Sequence, residues 1–175
     1  MNKQTSKGFT IIELLVVVAI IAVLTAIVLV NVTQYIGRGR DAAAQGNLAT
    51  MLTNGAVYYD TNSNFSAFNS AALTTGTIAA GTACAGSSGF TGPCNAITGT
   101  AANGYAFTYA CSDSTGTAAV CSGTGNAVQN WAGMVTLKAN ALGATATFCV
   151  DSTGAKVLKL AGSVTAVAPN YGKCT

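Results

Sequence analysis

Histidine is absent from the 175 residues, and charged side chains make up only 7% of them, against about 25% in ordinary soluble domains. With no histidine and five acids in all, the usual groups for proton transfer near neutral pH are missing. No serine or cysteine stands beside a visible base either, so an exported, membrane-anchored enzyme is poorly supported and no catalytic residue is assigned. Once Lys3 and Lys7 are set aside, six basic residues face five acidic ones. No basic stripe is left as an electrostatic footprint, and direct binding of nucleic acid through this chain is not expected. Proline is scarce too: of the two in the chain, Pro93 comes first, so no proline breaks a helix before it. Aromatic residues are few. Trp131, Tyr105 and Tyr109 read as core rather than as stacking platforms, and Tyr35, Tyr58 and Tyr59 as packing residues rather than a conductive or nucleic-acid-binding array.

Cysteine, by contrast, is plentiful and confined to one end: Cys84, Cys94, Cys111, Cys121, Cys149 and Cys174. Zinc sites use closely spaced cysteines or mix them with histidine. Neighbours here are as far apart as in "CAGSSGFTGPC" and "CSDSTGTAAVC", so neither a metal nor any other cofactor is expected. An even cysteine count behind an export segment points to disulfides and to an oxidising compartment for the distal part. Six cysteines allow fifteen pairings. Sequential pairing (84–94, 111–121, 149–174) closes the shortest loops and is favoured, the last pair closing a C-terminal loop over the final strand; the spacing leaves the others open. Asp113 and Asp151 stand isolated on turns, which argues against calcium.

Four regions follow one another along the chain. Residues 1–8 form a short basic leader. Residues 9–30 are apolar, and as a helix they would span about 33 Å, enough to cross a bilayer. Residues 31–60 turn polar without proline. Leu48, Leu52, Gly55 and Tyr59 recur there at helical spacing, with Val32 and Ile36 on a similar face, which predicts an amphipathic continuation of the same helix. A break at "GRGR" (37–40) is the alternative, and Arg38, Arg40 and Asp41 read as a solvated or membrane-interface cluster. Residues 61–175 form a head: a long loop over 61–103, then an antiparallel sheet over 104–175. Its strand candidates are "YAFTYAC", "WAGMVTLKA", "ATATFCV" and "AKVLKL". "CSDSTGT" and "CVDSTGA" share Cys-x-Asp-Ser-Thr-Gly, with Asp suited to an Asx turn and Gly to positive φ, so both predict hairpin tips. The fold class is therefore α+β: one long N-terminal helix, half membrane-spanning and half amphipathic, packed on a small, disulfide-stapled antiparallel sheet.

One carboxylate, Glu13, stands at the start of the apolar run, and from Leu14 to Val30 the only polar side chain is Thr25. A charge deep in a bilayer costs roughly 2.5–3.5 kcal/mol on insertion scales, so such a residue needs a partner or a role. Lys7-Gly8-Phe9-Thr10-Ile11-Ile12-Glu13 before a long apolar helix resembles the class III signal of type IV prepilins and related pseudopilins. That resemblance implies cleavage between Gly8 and Phe9 by a membrane prepilin peptidase, and N-methylation of Phe9 by the same enzyme. It also implies a precursor in the inner membrane, an assembly machinery and a helical homo-oligomer. The residues fit: Gly8 has no side chain to obstruct a protease, and Lys3 and Lys7 hold the leader on the cytoplasmic face. Cleavage creates an amine at Phe9, and Glu13 of a neighbouring subunit is placed to accept it.

A secretory signal has a shorter apolar core, about 7–15 residues, with its cleavage site directly after; "DAAAQG" lies well past Val30. A plain signal anchor leaves the Gly-Phe…Glu arrangement unexplained. The leading expectation is a structural subunit of a type IV pilus, exported into an extracellular filament for attachment, twitching motility or DNA uptake. A pseudopilin of a type II secretion system and a minor pilin are the alternatives. One departure from many pilins is the lack of glycine between Phe9 and Ile36; local melting of the membrane helix would have to come from its β-branched stretch or Thr25.

Overall fold

Helix formation begins where Thr10 and Glu13 bond reciprocally, and Leu14 donates to the Thr10 carbonyl at 3.3 Å. From there α1 (Ile11–Asn62) runs for 52 residues. A computed structural model describes residues 8–69, 75–122, 128–138, 146–160 and 173–174. Leader residues 1–7 and the C-terminal loop 161–172 lie outside the described residues. The chain divides into two units, Met1–Ile36 and Gly37–Thr175.

In the first unit, α1 carries no core. Its apolar side chains are exposed on every side, from Val32 at 43% to Ile11 at 84%. A helix apolar all round needs lipid or other helices around it. The two side chains that could disturb it are satisfied internally. Thr25 Oγ1 donates to the Ile21 carbonyl at 2.6 Å, and Asn31 Nδ2 donates to the Ile27 carbonyl at 3.3 Å. Tyr35, expected as a packing residue, is 70% exposed.

In the second unit, α1 is unbroken through "GRGR". Its buried face is Asp41, Ala44, Leu48, Met51 and Gly55, which shares only Leu48 and Gly55 with the face read from the sequence. Leu52 is half-buried and Tyr59 exposed. The reason is local: a Cβ at Gly55 would lie 3.0 Å from Trp131 Nε1, so the helix turns its glycine, not its larger neighbours, toward the indole. Asp41 is also not part of a solvated cluster. It is 3% exposed, and its Oδ1 accepts the Tyr105 hydroxyl at 2.6 Å and the Lys138 backbone N–H at 3.0 Å. Arg38 and Arg40 are exposed as expected. The helix ends as Ser63 adopts φ 57°, its N–H returning to the Tyr59 carbonyl at 2.7 Å.

The sheet contains β1 (Thr75–Ile78), β2 (Phe107–Ser112), β3 (Asn130–Leu137), β4 (Ala146–Asp151) and β5 (Lys156–Leu160). All neighbours are antiparallel and in sequence order. Cross-strand pairs Phe107↔Val135, Tyr109↔Gly133 and Cys111↔Trp131 set one face, which packs with Leu48 and Met51 of α1 in the main core. The opposite face has its own small cluster of Ala132, Cys149 and Cys174. Both faces of β2 and β4 are therefore largely buried, and the simple alternation read in "YAFTYAC" is lost beyond Tyr109.

The expected loop over 61–103 is not one. It contributes the edge strand β1 and a helix, α2 (Ser88–Thr98). Phe90, Pro93, Cys94, Ile97 and Thr98 form its buried face, spaced as an amphipathic helix requires. Two glycines and a proline inside it argue against helix by propensity. Pro93 has no N–H to bond the Gly89 carbonyl; Asn54 Nδ2 of α1 donates to that carbonyl instead, at 2.9 Å. The tertiary contact repairs what the sequence breaks.

The two Asp-Ser-Thr-Gly segments fold alike. Asp113 Oδ1 accepts the N–H groups of Thr115 at 2.8 Å and Thr117 at 2.9 Å; Asp151 Oδ1 accepts those of Thr153 at 2.9 Å and Ala155 at 3.2 Å. Gly116 and Gly154 take φ 83° and 94°. The second is the β4–β5 hairpin tip; the first turns the chain back to a single bridge, Ser112↔Ala118.

Candidate processing and assembly site

Gly8, Phe9 and Thr10 precede the helix and are exposed. No atom lies within 4 Å of where a Gly8 side chain would start, and Phe9 is 80% exposed. Among the described residues, nothing beyond the chain neighbours crowds Gly8. Immediately after Phe9, Thr10 Oγ1 accepts the Glu13 N–H at 3.3 Å. Glu13 Oε2 in turn accepts the Thr10 N–H at 2.9 Å and the Thr10 hydroxyl at 2.8 Å. This is a capping box, which satisfies backbone donors at a helix start. Its signature, Thr-x-x-Glu before an apolar run, is legible in "TIIE". The sequence reading gave Glu13 a partner only on another chain; a local one exists as well. Both of its side-chain bonds use Oε2.

Residues 3–29 match the family model of the prokaryotic N-terminal methylation motif. This motif, the class III signal of prepilins, supports a type IV pilin-like N-terminus. The motif implies processing by a peptidase and hand-over to an assembly machinery, and with the apolar helix it fits a membrane-anchored precursor. No curated protein and no solved structure matches the chain.

The head is stapled by three disulfides, Cys84–Cys94, Cys111–Cys121 and Cys149–Cys174. They form the sequential set. Cys84–Cys94 ties the approach of α2 to the helix itself, and Cys111–Cys121 closes the loop after β2. Cys149–Cys174 pins the C-terminal residues to β4, where the Cys174 N–H also donates to buried Asp151 Oδ2 at 2.9 Å. Trp131, Tyr105 and Tyr109 are all core residues. Burial raises the Tyr109 hydroxyl above its ordinary range. Among the described residues, no group of three or more histidines, cysteines or acids is gathered as a metal would need.

Proposed function

We propose that the chain is a structural subunit of a type IV pilus and not an enzyme. A prepilin peptidase cleaves it between Gly8 and Phe9 and methylates Phe9, and the assembly machinery then draws it from the inner membrane into an extracellular filament. The observation that carries this reading is the helix surface from Leu14 to Leu29, apolar but for Thr25 and exposed on all sides, within the matched methylation motif. Burial of apolar surface is worth about 25 cal/mol per Å², so helices of this kind that leave lipid need one another.

Glu13 then has two tasks. Oε2 closes the cap within its own chain, and the carboxylate's remaining capacity receives the Phe9 amine of a neighbour. A desolvated pair of this sort sets register more than it adds stability, because removing one partner strands a charge at roughly 3–5 kcal/mol. The head covers the filament's outside, its disulfides formed after export. Attachment, twitching motility and DNA uptake are the uses such a filament serves.

The test is electron microscopy of sheared surface filaments with mass analysis of their peptides. Filaments built from this chain, beginning at N-methylated Phe9, are the expected result. A chain starting at Met1 would overturn the processing step. A processed chain found only in the envelope, never in surface filaments, would assign it to a secretion pseudopilus instead.

A further inference from the structure

In the second unit, α1 and the start of α2 leave a cleft between them of about 320 Å³. One wall is a stripe of α1, Asn54, Val57, Tyr58 and Thr61, spaced so that they share one helix face. The other wall is the chain from Ser87 to Gly89. Asn54 spans the two through its 2.9 Å bond to the Gly89 carbonyl. A Cβ at Gly89 would lie 3.0 Å from Asn54 Cβ, so the packing of the two helices fixes the width of the cleft.

The polar groups along it are used in one sense only: they donate. Thr61 Oγ1 donates to the Val57 carbonyl at 3.2 Å, and Asn62 Nδ2 to the Tyr58 carbonyl at 2.9 Å. Ser87 Oγ donates to the Phe68 carbonyl at 3.2 Å. Among the described residues, no hydrogen bond runs to Asn54 Oδ1, Thr61 Oγ1, Asn62 Oδ1 or Ser87 Oγ. Amide and hydroxyl oxygens of this kind can each accept. A molecule that satisfies them must bring donors. No charged side chain lines the cleft, so a divalent cation would give up its water without meeting a carboxylate. The donors therefore belong to a neutral molecule. Val57 and the Tyr58 ring add an apolar strip, and a tyrosine ring offers a flat apolar body. Phe68 holds that ring in place, 5.3 Å away between centres.

Hydroxyl donors on a ring with an apolar face are the chemistry of a sugar. We propose that this cleft binds one ring of a neutral saccharide. Its hydroxyls donate to Asn54 Oδ1, Thr61 Oγ1 and Asn62 Oδ1, and its apolar face rests on Tyr58. The volume stands at the small end of ligand cavities, about 300–1,000 Å³, which suits one ring with further units in solvent. Binding is a property of the folded head and does not require a polymer. Attachment to neutral surface glycans through it rests on the filament reading.

The test is saturation-transfer NMR on the full-length chain in a detergent without a sugar headgroup. Glucose, galactose, mannose and N-acetylglucosamine serve as separate probes, with glucuronate and choline as charged comparisons. Saturable transfer to at least one neutral sugar is expected. Thr61→Val with Asn62→Leu, both at exposed positions, removes two acceptors and weakens that binding about tenfold or more. Ser88→Trp, at an exposed position on the lip, fills the cleft and abolishes it, with the near-ultraviolet dichroism of the disulfides and core aromatics otherwise retained. Transfer to none of the neutral sugars overturns the proposal, as does transfer that both variants leave unchanged. Glucuronate or choline bound in preference to every neutral sugar overturns it too. A chain that binds sugar yet builds no filaments keeps this site and loses the filament reading; filaments of a chain that binds none do the reverse.

Discussion

Asp41 shows how one side chain joins the helix to the sheet. Its carboxylate meets the Tyr105 hydroxyl and the Lys138 N–H, while Lys138 Nζ donates to the Gly104 carbonyl at 2.7 Å and lies 5.0 Å from the Tyr105 ring centre. Asp41→Ala leaves a buried hydroxyl and an N–H without their acceptor. Each such orphan costs about 1–3 kcal/mol, so a loss of about 2–6 kcal/mol is expected in chemical denaturation of the detergent-solubilised chain. Asp41→Asn, which keeps an acceptor oxygen, loses less. The same node makes the head sensitive to alkali. Burial, and then Asp41, raise the Tyr105 hydroxyl well above the ordinary tyrosine range. A folded-state value raised in this way contributes stability that is full below the unfolded value, near 10, and that is lost as pH climbs through the folded one. Stability should therefore fall above about pH 10, and Tyr105→Phe should flatten that limb. An unchanged alkaline limb in Tyr105→Phe would show that another group governs it.

The elements that were hardest to read are those completed by a distant side chain. Asn54 accounts for α2: without its bond to the Gly89 carbonyl, Pro93 leaves a hole in the helix ladder. Asn54→Ala is expected to cost about 1–2 kcal/mol and to loosen α2 first, read as faster amide exchange at residues 94–98 than in β3. Uniform loss across the head would mean that Asn54 does something more general. The long helix, the later strands and both Asp-Ser-Thr-Gly turns were legible because their signals are local: apolar length, alternation and turn chemistry. The start of α1 was half legible, since "TIIE" spells its own cap and only the attraction of a partner chain drew attention elsewhere. Helix α2 was hidden, although Phe90, Cys94 and Ile97 stand at helical spacing, because glycine and proline outweigh an eleven-residue pattern when Asn54 lies 35 positions from Gly89. The buried face of α1 was misjudged for a related reason: only the position of Trp131 decides whether Gly55 or Leu52 turns inward.

At the scale of the whole molecule, the role proposed for Glu13 lies in assembly and not in folding. The sheet begins only at Thr75, beyond the whole of α1 from Glu13, so variants at Glu13 should be cleaved, exported and oxidised normally. The cap allows charge and geometry to be tested apart. Glutamine at this helix position can still accept the Thr10 N–H, so Glu13→Gln keeps the helix start and removes only the charge that would meet a neighbour's amine. Glu13→Val removes both, while easing insertion into lipid. If inter-subunit pairing is the governing role, the two variants should be equally poor, each yielding few or no filaments as the only copy. Both should also enter wild-type filaments weakly when co-expressed, because every subunit offers an amine and must supply a carboxylate. Counting sheared filaments by microscopy, alongside the mass of the processed N-terminus, reads out both steps. Normal filaments from Glu13→Gln with failure confined to Glu13→Val would assign the carboxylate to the cap alone. Normal filaments from both would leave Glu13 without a part in assembly, and the apolar helix by itself would then have to set the register of the polymer.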